Sequence, residues 1–317
     1  MDTEQKIEMI KRNTSEIVNQ EKIKSFLSKG VAYCGYECSG EIHLGHLVTI
    51  MKLMDLERAG VKIKVLLADW HTWLNQKGDW GVVNKQVSNW QRGIKATGLN
   101  AEFIKGTDFQ RKLDYIDDVL RLALKTTVNR GVRAMQQVAR DIENAKISQI
   151  IYPLMQIEDV KKLGANFVVA GSDQRKIYML GLDNGKEINL QEAVYLYNSI
   201  IPSLKGPGGK MSSSVKDSFI SIRDKNSDII KKVNKAYCKQ GDVENNPVLA
   251  ICKLLIFPKF EKMVIKREEK YGGELEFESY EKLEKSFESG SLHAQDLKNS
   301  VSEYLEKILS PVRKVWK

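Results

Sequence analysis

The sequence predicts an α/β fold, a doubly wound parallel sheet interrupted by a helical insertion and followed by a C-terminal helical domain. Three observations support this prediction. Short apolar runs typical of strands alternate with helix-periodic segments through the first part of the chain. Residues 109–163 have helical periodicity almost throughout. After residue 217 the chain becomes rich in Lys and Glu, and its periodicity is helical.

The predicted elements follow in chain order. Residues 1–27 have the Glu- and Lys-rich exposed faces of a helix, 31–34 form the first strand, and 47–56 form an apolar helix. Residues 61–68 alternate in polarity and then become wholly apolar, which is typical of a central parallel strand. The remaining predictions are a helix at 86–97, strands at 101–105 and 167–170, a turn into a helix at 171–173, and C-terminal helices at 228–236, 247–257 and 294–309.

Two domains are expected, because 317 residues suffice for two hydrophobic cores. The first spans 1–217. It includes an N-terminal helix, the helical insertion at 109–163 and a glycine-rich loop at 206–217. The second spans 218–317 and is helical.

Composition and charge narrow the class of protein. A net charge of +9 favours a polyanionic partner such as nucleic acid. The sequence has no run of about 18 apolar residues, and residues 1–12 lack the apolar core of a signal peptide, so we expect a cytoplasmic protein. The four cysteines do not suggest a disulfide framework, and Cys34 and Cys38 lie too close to the following histidines for a usual zinc site.

The first motif is His43-Leu44-Gly45-His46, between a predicted strand and a predicted helix. A helix start collects free backbone N–H groups and the positive end of the helix dipole, where phosphate binds well. Gly45 lacks a side chain, so a nucleotide could approach the backbone closely. His43 and His46 can donate hydrogen bonds to phosphate oxygens, more strongly if the rings are protonated.

The second motif is the glycine-rich loop that ends in Lys210-Met211-Ser212-Ser213-Ser214. Lys210 offers a positive charge to a departing pyrophosphate, and Ser212 and Ser213 add hydroxyl donors. The preceding Gly-Pro-Gly-Gly predicts a loop that moves during reaction. Together the two motifs predict attack at the α-phosphate of ATP, catalysed by positioning and electrostatics without a protein nucleophile.

With both motifs in this order, the sequence resembles the class I aminoacyl-tRNA synthetases, and most of all the tyrosyl-tRNA synthetases of the archaeal and eukaryotic type. The resemblance runs from residues 10–14 to 297–299. Its blocks are Tyr33-Cys34-Gly35-Tyr36-Glu37, Leu67-Ala68-Asp69-Trp70-His71, Leu74-Asn75-Gln76-Lys77-Gly78, Ile151-Tyr152-Pro153-Leu154-Met155-Gln156 and Asp173-Gln174-Arg175-Lys176. The loop departs from the bacterial pattern, because the second lysine is absent.

The resemblance implies a Rossmann-like catalytic domain that uses ATP, with Mg²⁺, to activate L-tyrosine and charge tRNA(Tyr). It also implies a homodimer with its interface in the helical insertion around residues 122–140, and an anticodon-binding role for 218–317. The implied ATP contacts are Gly35, Glu37, Gly45 and Met211. The implied catalytic residues are the two histidines, Lys210, Ser212 and Ser213.

The implied tyrosine pocket combines six side chains. Tyr152, Gln156 and Gln174 would hold the α-amino group, Tyr33 and Asp159 the phenol hydroxyl, and His71 would line the pocket. The spacing of Tyr152, Gln156 and Asp159 puts them on one helix face, which without the resemblance is more typical of a solvated surface. For Asp69 and His71 a purely structural role in the loop is equally open.

The implied tRNA contacts are Arg133 and Arg175 at the acceptor end, and Tyr271, His293 and Asp296 at the anticodon. The alternative role for each arginine is a surface or interface salt bridge. For Asp296 it is a stabilising carboxylate at a helix N-terminus.

Three rival functions remain open at this stage. A tryptophanyl-tRNA synthetase shares the fold and both motifs, but Tyr33 and Asp159 form a pair suited to a hydroxyl. A small-molecule adenylyltransferase would not need the basic helical domain. A non-enzymatic RNA-binding protein would not need His43, His46 and Lys210.

Overall fold

The computed structural model of the protein describes residues 1–136, 138, 144–209, 211, 218–260 and 262–317. By their contacts the residues form two compact units. The first contains Met1–Gly40 and Lys52–Asn198, and the second contains Glu41–Met51 and Ser199–Lys317. The second unit includes residues 41–51, which carry the histidine motif, although the residues before and after them in the chain belong to the first unit. The functional division at residue 217 remains a prediction.

A six-stranded sheet organises the first unit. Its order is β1-β6-β5-β2-β3-β4, with β2 to β6 parallel to their neighbours and β1 antiparallel to β6. The predicted doubly wound sheet is therefore confirmed. The strands are β1 Thr14–Val18, β2 Val31–Tyr36, β3 Lys62–Leu67, β4 Glu102–Lys105, β5 Phe167–Gly171 and β6 Val194–Asn198.

Helices pack around this sheet, and most were predicted. The helices of this part of the chain are α1 Thr3–Lys11, α2 Ile23–Phe26, α3 Leu44–Arg58, α4 Asp69–Leu74, α5 Trp80–Ala96, α6 Leu113–Leu124, α7 Val128–Met135, α8 Ile147–Lys162 and α9 Arg175–Asn184. The described part of the insertion at 109–163, which leaves out residues 137 and 139–143, consists of the three helices α6, α7 and α8 joined by short turns and contains no strand. The turn predicted after β5 is a short 3-10 segment, Ser172–Gln174, that leads into α9.

The prediction that residues 1–27 are helical is wrong in its middle. After α1 the chain forms β1, because the β-branched run there pairs with β6, a strand that periodicity did not reveal. Buried Lys52 holds the turn between α1 and β1, donating from Nζ to the carbonyl oxygens of Ile10 (2.7 Å) and Arg12. Arg12 Nε in turn donates to Asp55 Oδ2 at 2.9 Å. This long-range anchoring lets a sheet edge form where the local sequence favours a helix.

The second unit is mainly helical, as expected, and also contains a small hairpin that was not predicted. Its helices are α10 Asn226–Lys235, α11 Pro247–Ile251, α12 Phe257–Lys259, α13 Tyr280–Glu288 and α14 Ala294–Val315, with a π-helical turn at Cys252–Ile256 between α11 and α12. The antiparallel strands β7 Met263–Ile265 and β8 Leu275–Phe277 are short, so alternation gave little signal. Val264 N–H donates to the Tyr304 hydroxyl of α14 (3.0 Å), which fixes the hairpin to the longest helix.

None of the helices formed by the described residues is long and apolar enough to cross a membrane.

A buried carboxyl group of α8 lies near a partly buried one of α6. Glu158 is fully buried, neither of its carboxyl oxygens has a hydrogen-bond partner among the described residues, and Asp118 is close enough to affect its pKa. Burial, and then Asp118, raise the pKa of Glu158 to about 8. Lys161 pairs with Asp118, and Lys162 lies 4.0 Å from Glu158, while Lys162 also pairs with Asp114 at 2.6 Å. The raised pKa therefore favours the neutral form of the Glu158 carboxyl group in the folded protein.

This pair gives the first prediction. A raised folded-state pKa stabilises the fold below the ordinary glutamate pKa and loses that contribution as pH rises towards 8. Glu158→Gln keeps a neutral donor, so the free energy of unfolding of the variant should exceed that of the wild type at pH 8.5 by on the order of 3 kcal/mol. Urea unfolding of both proteins at pH 5.5, 7 and 8.5 measures the difference. A difference that does not change with pH would contradict the raised pKa of Glu158.

Candidate active site

The two histidines of the first motif stack at the start of α3. Their ring centroids are 3.8 Å apart. The His43 N–H donates to Nδ1 of His46 (3.1 Å), and the Gly45 N–H donates to Nδ1 of His43 (3.1 Å). Because both Nδ1 atoms are acceptors, each ring carries its proton on Nε2. The turn therefore holds two Nε2–H donors side by side.

These donors are not the protonated rings considered from sequence. Burial lowers the pKa of His43 to about 4, so this ring is neutral at physiological pH. A neutral imidazole still donates one hydrogen bond to a phosphate oxygen. The electrostatic contribution of His43 is therefore that of a dipole, without a full charge.

The absence of a side chain at Gly45 is required by His43 itself. A Cβ atom at this position would lie 2.9 Å from Cε1 and 3.1 Å from Nδ1 of His43. The imidazole folds back over the glycine backbone, which explains why a glycine separates the two histidines. Contact between Gly45 and ATP stays a prediction.

The expectation of free backbone N–H groups at this helix start is wrong for its first residues. Leu44 N–H donates to the Ile220 carbonyl (3.2 Å), Gly45 N–H to the His43 ring, and His46 N–H to the His43 carbonyl (2.9 Å). Residue 43 also forms an antiparallel bridge with Ser221, which draws the turn against the 220–222 segment. Side chains, not backbone N–H groups, are therefore the donors that this turn offers.

The glycine-rich loop is described only in part. Met211 is buried, and its N–H donates to the Ile201 carbonyl at 3.1 Å. Lys210, Ser212 and Ser213 lie outside the described residues, so their predicted catalytic roles rest on the sequence.

A second group of polar side chains is buried in the first unit around Asp159. Oδ1 of Asp159 accepts from Gln110 Nε2 (2.8 Å) and from the Tyr115 hydroxyl (2.9 Å). Oδ2 has no hydrogen-bond partner among the described residues, since His71 Nε2 is 3.7 Å away. Burial raises the pKa of Asp159 to about 7, and the two hydrogen bonds oppose this rise. One carboxylate oxygen is thus left open in a buried site.

His71 forms a wall of this site. Its Nδ1 lies 3.2 Å from Gln110 Nε2, which can only donate, so Nε2 carries the ring proton. Burial lowers the pKa of His71 to about 3, and the ring packs edge-to-face on Tyr152 with centroids 4.5 Å apart. Asp69 has the structural role that sequence left open, because it accepts from the N–H (2.9 Å) and hydroxyl (2.6 Å) of Thr107.

The predicted α-amino ligands also meet in the first unit. Gln156 Nε2 donates to Gln174 Oε1 (3.2 Å) and to the Tyr178 hydroxyl (2.9 Å). Gln156 Oε1 is buried and has no partner within the described part of the chain. Tyr33 is fully buried, and burial, followed by the nearby Tyr178, raises the pKa of its hydroxyl. Acceptor oxygens of Gln156 and Asp159 are therefore both unsatisfied in this cluster.

Glu37 holds the next side of the cluster. It accepts from Asn75 Nδ2 at 2.8 Å and pairs with Lys77, and it lies near the Tyr152 hydroxyl, whose pKa is raised by burial and then by Glu37. Gly35 is needed close by, because a Cβ atom there would lie 2.9 Å from the Tyr33 hydroxyl. The predicted ATP contacts of Gly35 and Glu37 stay predictions.

Sequence reasoning missed Gln110, Tyr115 and Tyr178. Gln110 follows β4 as His71 follows β3, so the rule that ligands gather at the carboxyl ends of parallel strands would have selected it. Tyr115 and Tyr178 lie within helices, where a tyrosine alone gives no functional signal.

The predicted tRNA contacts are dispersed over both units. Arg133 is exposed on α7. Arg175 forms a bidentate ion pair with Glu16 of β1, which is the salt-bridge role considered as the alternative to tRNA binding. Tyr271 is 62% exposed beyond β7. His293 caps α14 by accepting from the Gln295 N–H (3.2 Å), and Asp296 lies in the first turn of that helix.

The second unit thus holds a turn with stacked imidazole donors, and the first unit holds a buried cluster with unsatisfied acceptor oxygens. The chain belongs to the family of class I tRNA synthetases for tryptophan and tyrosine, whose model matches residues 6–310. Within that family it is similar to enzymes for tyrosine. The tyrosine–tRNA ligase of Methanosarcina mazei is 45% identical over 98% of this chain and 99% of its own length.

Two further relatives agree with this placement. The tyrosine–tRNA ligase of Methanocaldococcus jannaschii is 46% identical, covering 97% of this chain and 98% of its own. The crystal structure of the tyrosyl-tRNA synthetase of Archaeoglobus fulgidus with L-tyrosine superposes with a TM-score of 0.95 at 43% identity, and the match covers 100% of both chains.

The geometry at Gly45 gives the second prediction. In Gly45→Ala the new methyl group displaces the His43 ring and breaks its hydrogen bond to the backbone, so its Nε2–H donor is misaligned. Loss of one preorganised donor should slow adenylate formation by roughly 10²-fold. ATP–pyrophosphate exchange and single-turnover kinetics measure the rate. Because alanine favours a helix start more than glycine does, the melting temperature should stay within a few degrees. A normal rate would contradict the assigned role of Gly45.

Proposed function

We propose that this protein is a tyrosine–tRNA ligase. The carboxylate of L-tyrosine attacks the α-phosphate of ATP and releases pyrophosphate. The terminal ribose hydroxyl of tRNA(Tyr) then attacks the acyl carbon and releases AMP. The observation that carries this proposal is the open Oδ2 of buried Asp159, an acceptor that a phenol hydroxyl satisfies.

Recognition of the phenol follows from unequal use of the two Asp159 oxygens. Oδ1 is occupied by Gln110 and Tyr115, so a ligand is needed to complete Oδ2. The Tyr33 hydroxyl is the second group proposed to contact the phenol oxygen. Phenylalanine would leave Oδ2 buried and unpaired, and a site of this type rejects the ligand without a hydroxyl by about 10⁴–10⁵-fold.

Separate acceptor groups are proposed to bind the ammonium end of the amino acid. An ammonium group carries three donors, and Gln156 Oε1 is a buried acceptor without a partner in the described residues. Tyr152 and Gln174 are proposed to complete the ammonium site. Burial lowers the pKa of His71, and a neutral ring in this site avoids repulsion of the ammonium.

For ATP, we propose that the Nε2–H groups of His43 and His46 donate to phosphate oxygens as negative charge shifts towards pyrophosphate. Lys210 would add a full positive charge, and Ser212 and Ser213 hydroxyl donors, on the sequence grounds given above. Gly35, Glu37, Gly45 and Met211 are the proposed contacts to the rest of the nucleotide. Among the described residues no cluster of three or more His, Cys, Asp or Glu could hold a metal, so Mg²⁺ is expected to enter with the ATP phosphates as part of the substrate.

The third prediction tests the amino acid. ATP–pyrophosphate exchange measured with each of the twenty amino acids should be efficient with tyrosine alone. Asp159→Ala should abolish most of the preference for tyrosine over phenylalanine, a loss of 10²-fold or more in the ratio of kcat/KM values. Faster exchange with tryptophan than with tyrosine would overturn the assignment.

Lys210→Ala, in the same assay, should lower the rate and leave the Kd for tyrosine nearly unchanged.

Residues 218–317 are proposed to bind the anticodon through Tyr271, His293 and Asp296. Arg133 and Arg175 are proposed to contact the acceptor end of the tRNA. Exposed Tyr271 can stack on a base, and a carboxylate such as Asp296 can accept from a guanine edge. For Arg175 to reach the tRNA, its ion pair with Glu16 must open. We further propose that the enzyme works in the cytoplasm, where its tRNA substrate is found.

The fourth prediction separates recognition from helix stabilisation at Asp296. Asp296→Ala should reduce charging of tRNA by roughly 1–3 kcal/mol in kcat/KM, with base-edge contacts in DNA as the calibration. The loss should depend on the first anticodon base, and exchange without tRNA should be normal. Melting temperature and charging of two anticodon variants are the measurements. An early-melting variant that charges both tRNAs equally poorly would leave Asp296 with a structural role only.

A homodimer through the helical insertion is also proposed. Five large apolar side chains on α6, α7 and the start of α8 are more than half exposed, a density that usually marks an interface: Leu113 84%, Leu120 55%, Leu124 83%, Val128 66% and Ile147 76%.

The fifth prediction tests that surface. Leu124→Glu places a charge in the proposed interface and should shift the protein towards monomer by at least ten-fold in dimer Kd, as measured by analytical ultracentrifugation. Val82→Glu is the matched control, because Val82 is also an exposed apolar residue (49%) but lies on α5. Equal dissociation constants for wild type and Leu124→Glu would place the interface elsewhere.

A further inference from the structure

Three tryptophans and one arginine form a layered cluster on the first unit. Trp70 and Trp73 lie on α4, Trp80 begins α5, and Arg111 follows β4. The Arg111 guanidinium lies 5.5 Å from the ring centroid of Trp70 and 5.0 Å from that of Trp80. Trp80 stacks on Trp73 with centroids 5.5 Å apart and an interplanar angle of 22°. We call these four residues the tryptophan stack.

The tryptophan stack is at the surface. Trp73, its outermost ring, is 42% exposed, Arg111 is exposed, and Trp70 and Trp80 are half-buried. The cluster holds three of the five tryptophans of the chain. Within the described part of the chain no carboxylate forms an ion pair with Arg111, so its charge is not neutralised by a neighbour. An exposed aromatic face backed by an unneutralised guanidinium attracts a flat, anionic partner.

We infer that the tryptophan stack binds the unpaired nucleotides at the 3′ end of the tRNA. Unpaired bases stack on aromatic rings and on arginine planes, while the backbone phosphates favour a positive surface. The positive charge of the whole chain, +9, acts in the same direction. This inference rests on the proposed function, which requires a single-stranded 3′ end to enter the first unit.

The position of the stack fits that path. Helix α4 carries both Trp73 and His71, the wall of the amino-acid pocket, and its six residues span about 9 Å. Stacked nucleotides advance by about 3.4 Å each, so a few of them cover the distance between the pocket and the outer face of Trp73. His71 and Trp73 point to different sides of the helix. A single-stranded tRNA 3′ end that stacks on Trp73 would therefore pass around the end of α4 to reach the pocket.

A structural role for the stack is the first alternative. The cluster flanks residues 75–79, and Asn75 and Lys77 in that segment hold Glu37, which contacts Tyr152. If the rings served only to fix this segment, their loss would disturb tyrosine activation as well as tRNA binding. A second alternative is a contact with another copy of this chain, and loss of the rings would then change self-association.

The experiment compares wild type, Trp73→Ala, Trp73→Phe and the control Val82→Ala, which removes an exposed apolar side chain of α5 outside the stack. Binding is measured by fluorescence anisotropy with intact tRNA(Tyr) and with the same tRNA trimmed of its 3′ single strand. Trp73→Ala should weaken binding of intact tRNA by about 10-fold, since one base–aromatic contact is worth this order of magnitude. Binding of trimmed tRNA should not change. Trp73→Phe should keep most of the affinity, and Val82→Ala all of it.

Two further readouts decide between the alternatives. ATP–pyrophosphate exchange by Trp73→Ala should match that of the wild type, and so should its sedimentation. Slower exchange, or equal weakening with intact and trimmed tRNA, would overturn the inference in favour of a structural role. A changed dimer Kd with unchanged tRNA affinity would favour the second copy. A wild-type enzyme that does not activate tyrosine would instead refute the proposed function, because the binding comparison needs no catalysis.

Discussion

Burial of the Asp159 carboxyl group is the constraint on which the rest of the first unit depends. A carboxylate without water must be supplied with donors, and here they come from different parts of the chain: Gln110 from the segment after β4 and Tyr115 from α6. Their positions require α6 to pack on α8 and β4 to end beside α4. The helical insertion at 109–163 is thus more than an addition to the sheet, because it provides both of the side-chain hydrogen bonds that allow the acid to be buried.

The histidine turn provides hydrogen-bond donors, whereas the Asp159 site requires them. Its rings are kept neutral and are oriented by backbone N–H groups, so that the donors exist before any phosphate arrives. Preorganised dipoles of this kind need no reorientation as charge develops, which is the main source of electrostatic catalysis in enzymes. In the pocket, by contrast, acceptors are left unsatisfied until a ligand brings donors. The two sites therefore select complementary chemistry: anionic phosphate at one, and hydroxyl and ammonium donors at the other.

The fold was largely accessible from sequence because its central strands are short apolar runs that end at recognisable turns. β2, β3, β4 and β5 were all predicted within a few residues. β1 and β6 were not, since β1 exists only through pairing with β6 and through the anchor that Lys52 and Asp55 provide from α3. Among the site residues, the motif histidines were evident from spacing alone. The pocket residues could be assigned only through the family resemblance. The structure was required to find the histidine tautomers, the occupied backbone N–H groups and the open oxygens of Asp159 and Gln156, because no local pattern encodes them.

The antiparallel strand β1 also has a consequence for the integrity of the sheet. It covers the hydrogen-bonding edge of β6, whose five residues are all buried. A shortened chain that begins after Val18 would expose an apolar strand edge with unpaired backbone groups, which is a template for intermolecular pairing. The N-terminal segment thus protects the protein from aggregation. Proteolytic removal of residues 1–18 should then cause precipitation, because it would uncover this edge of β6.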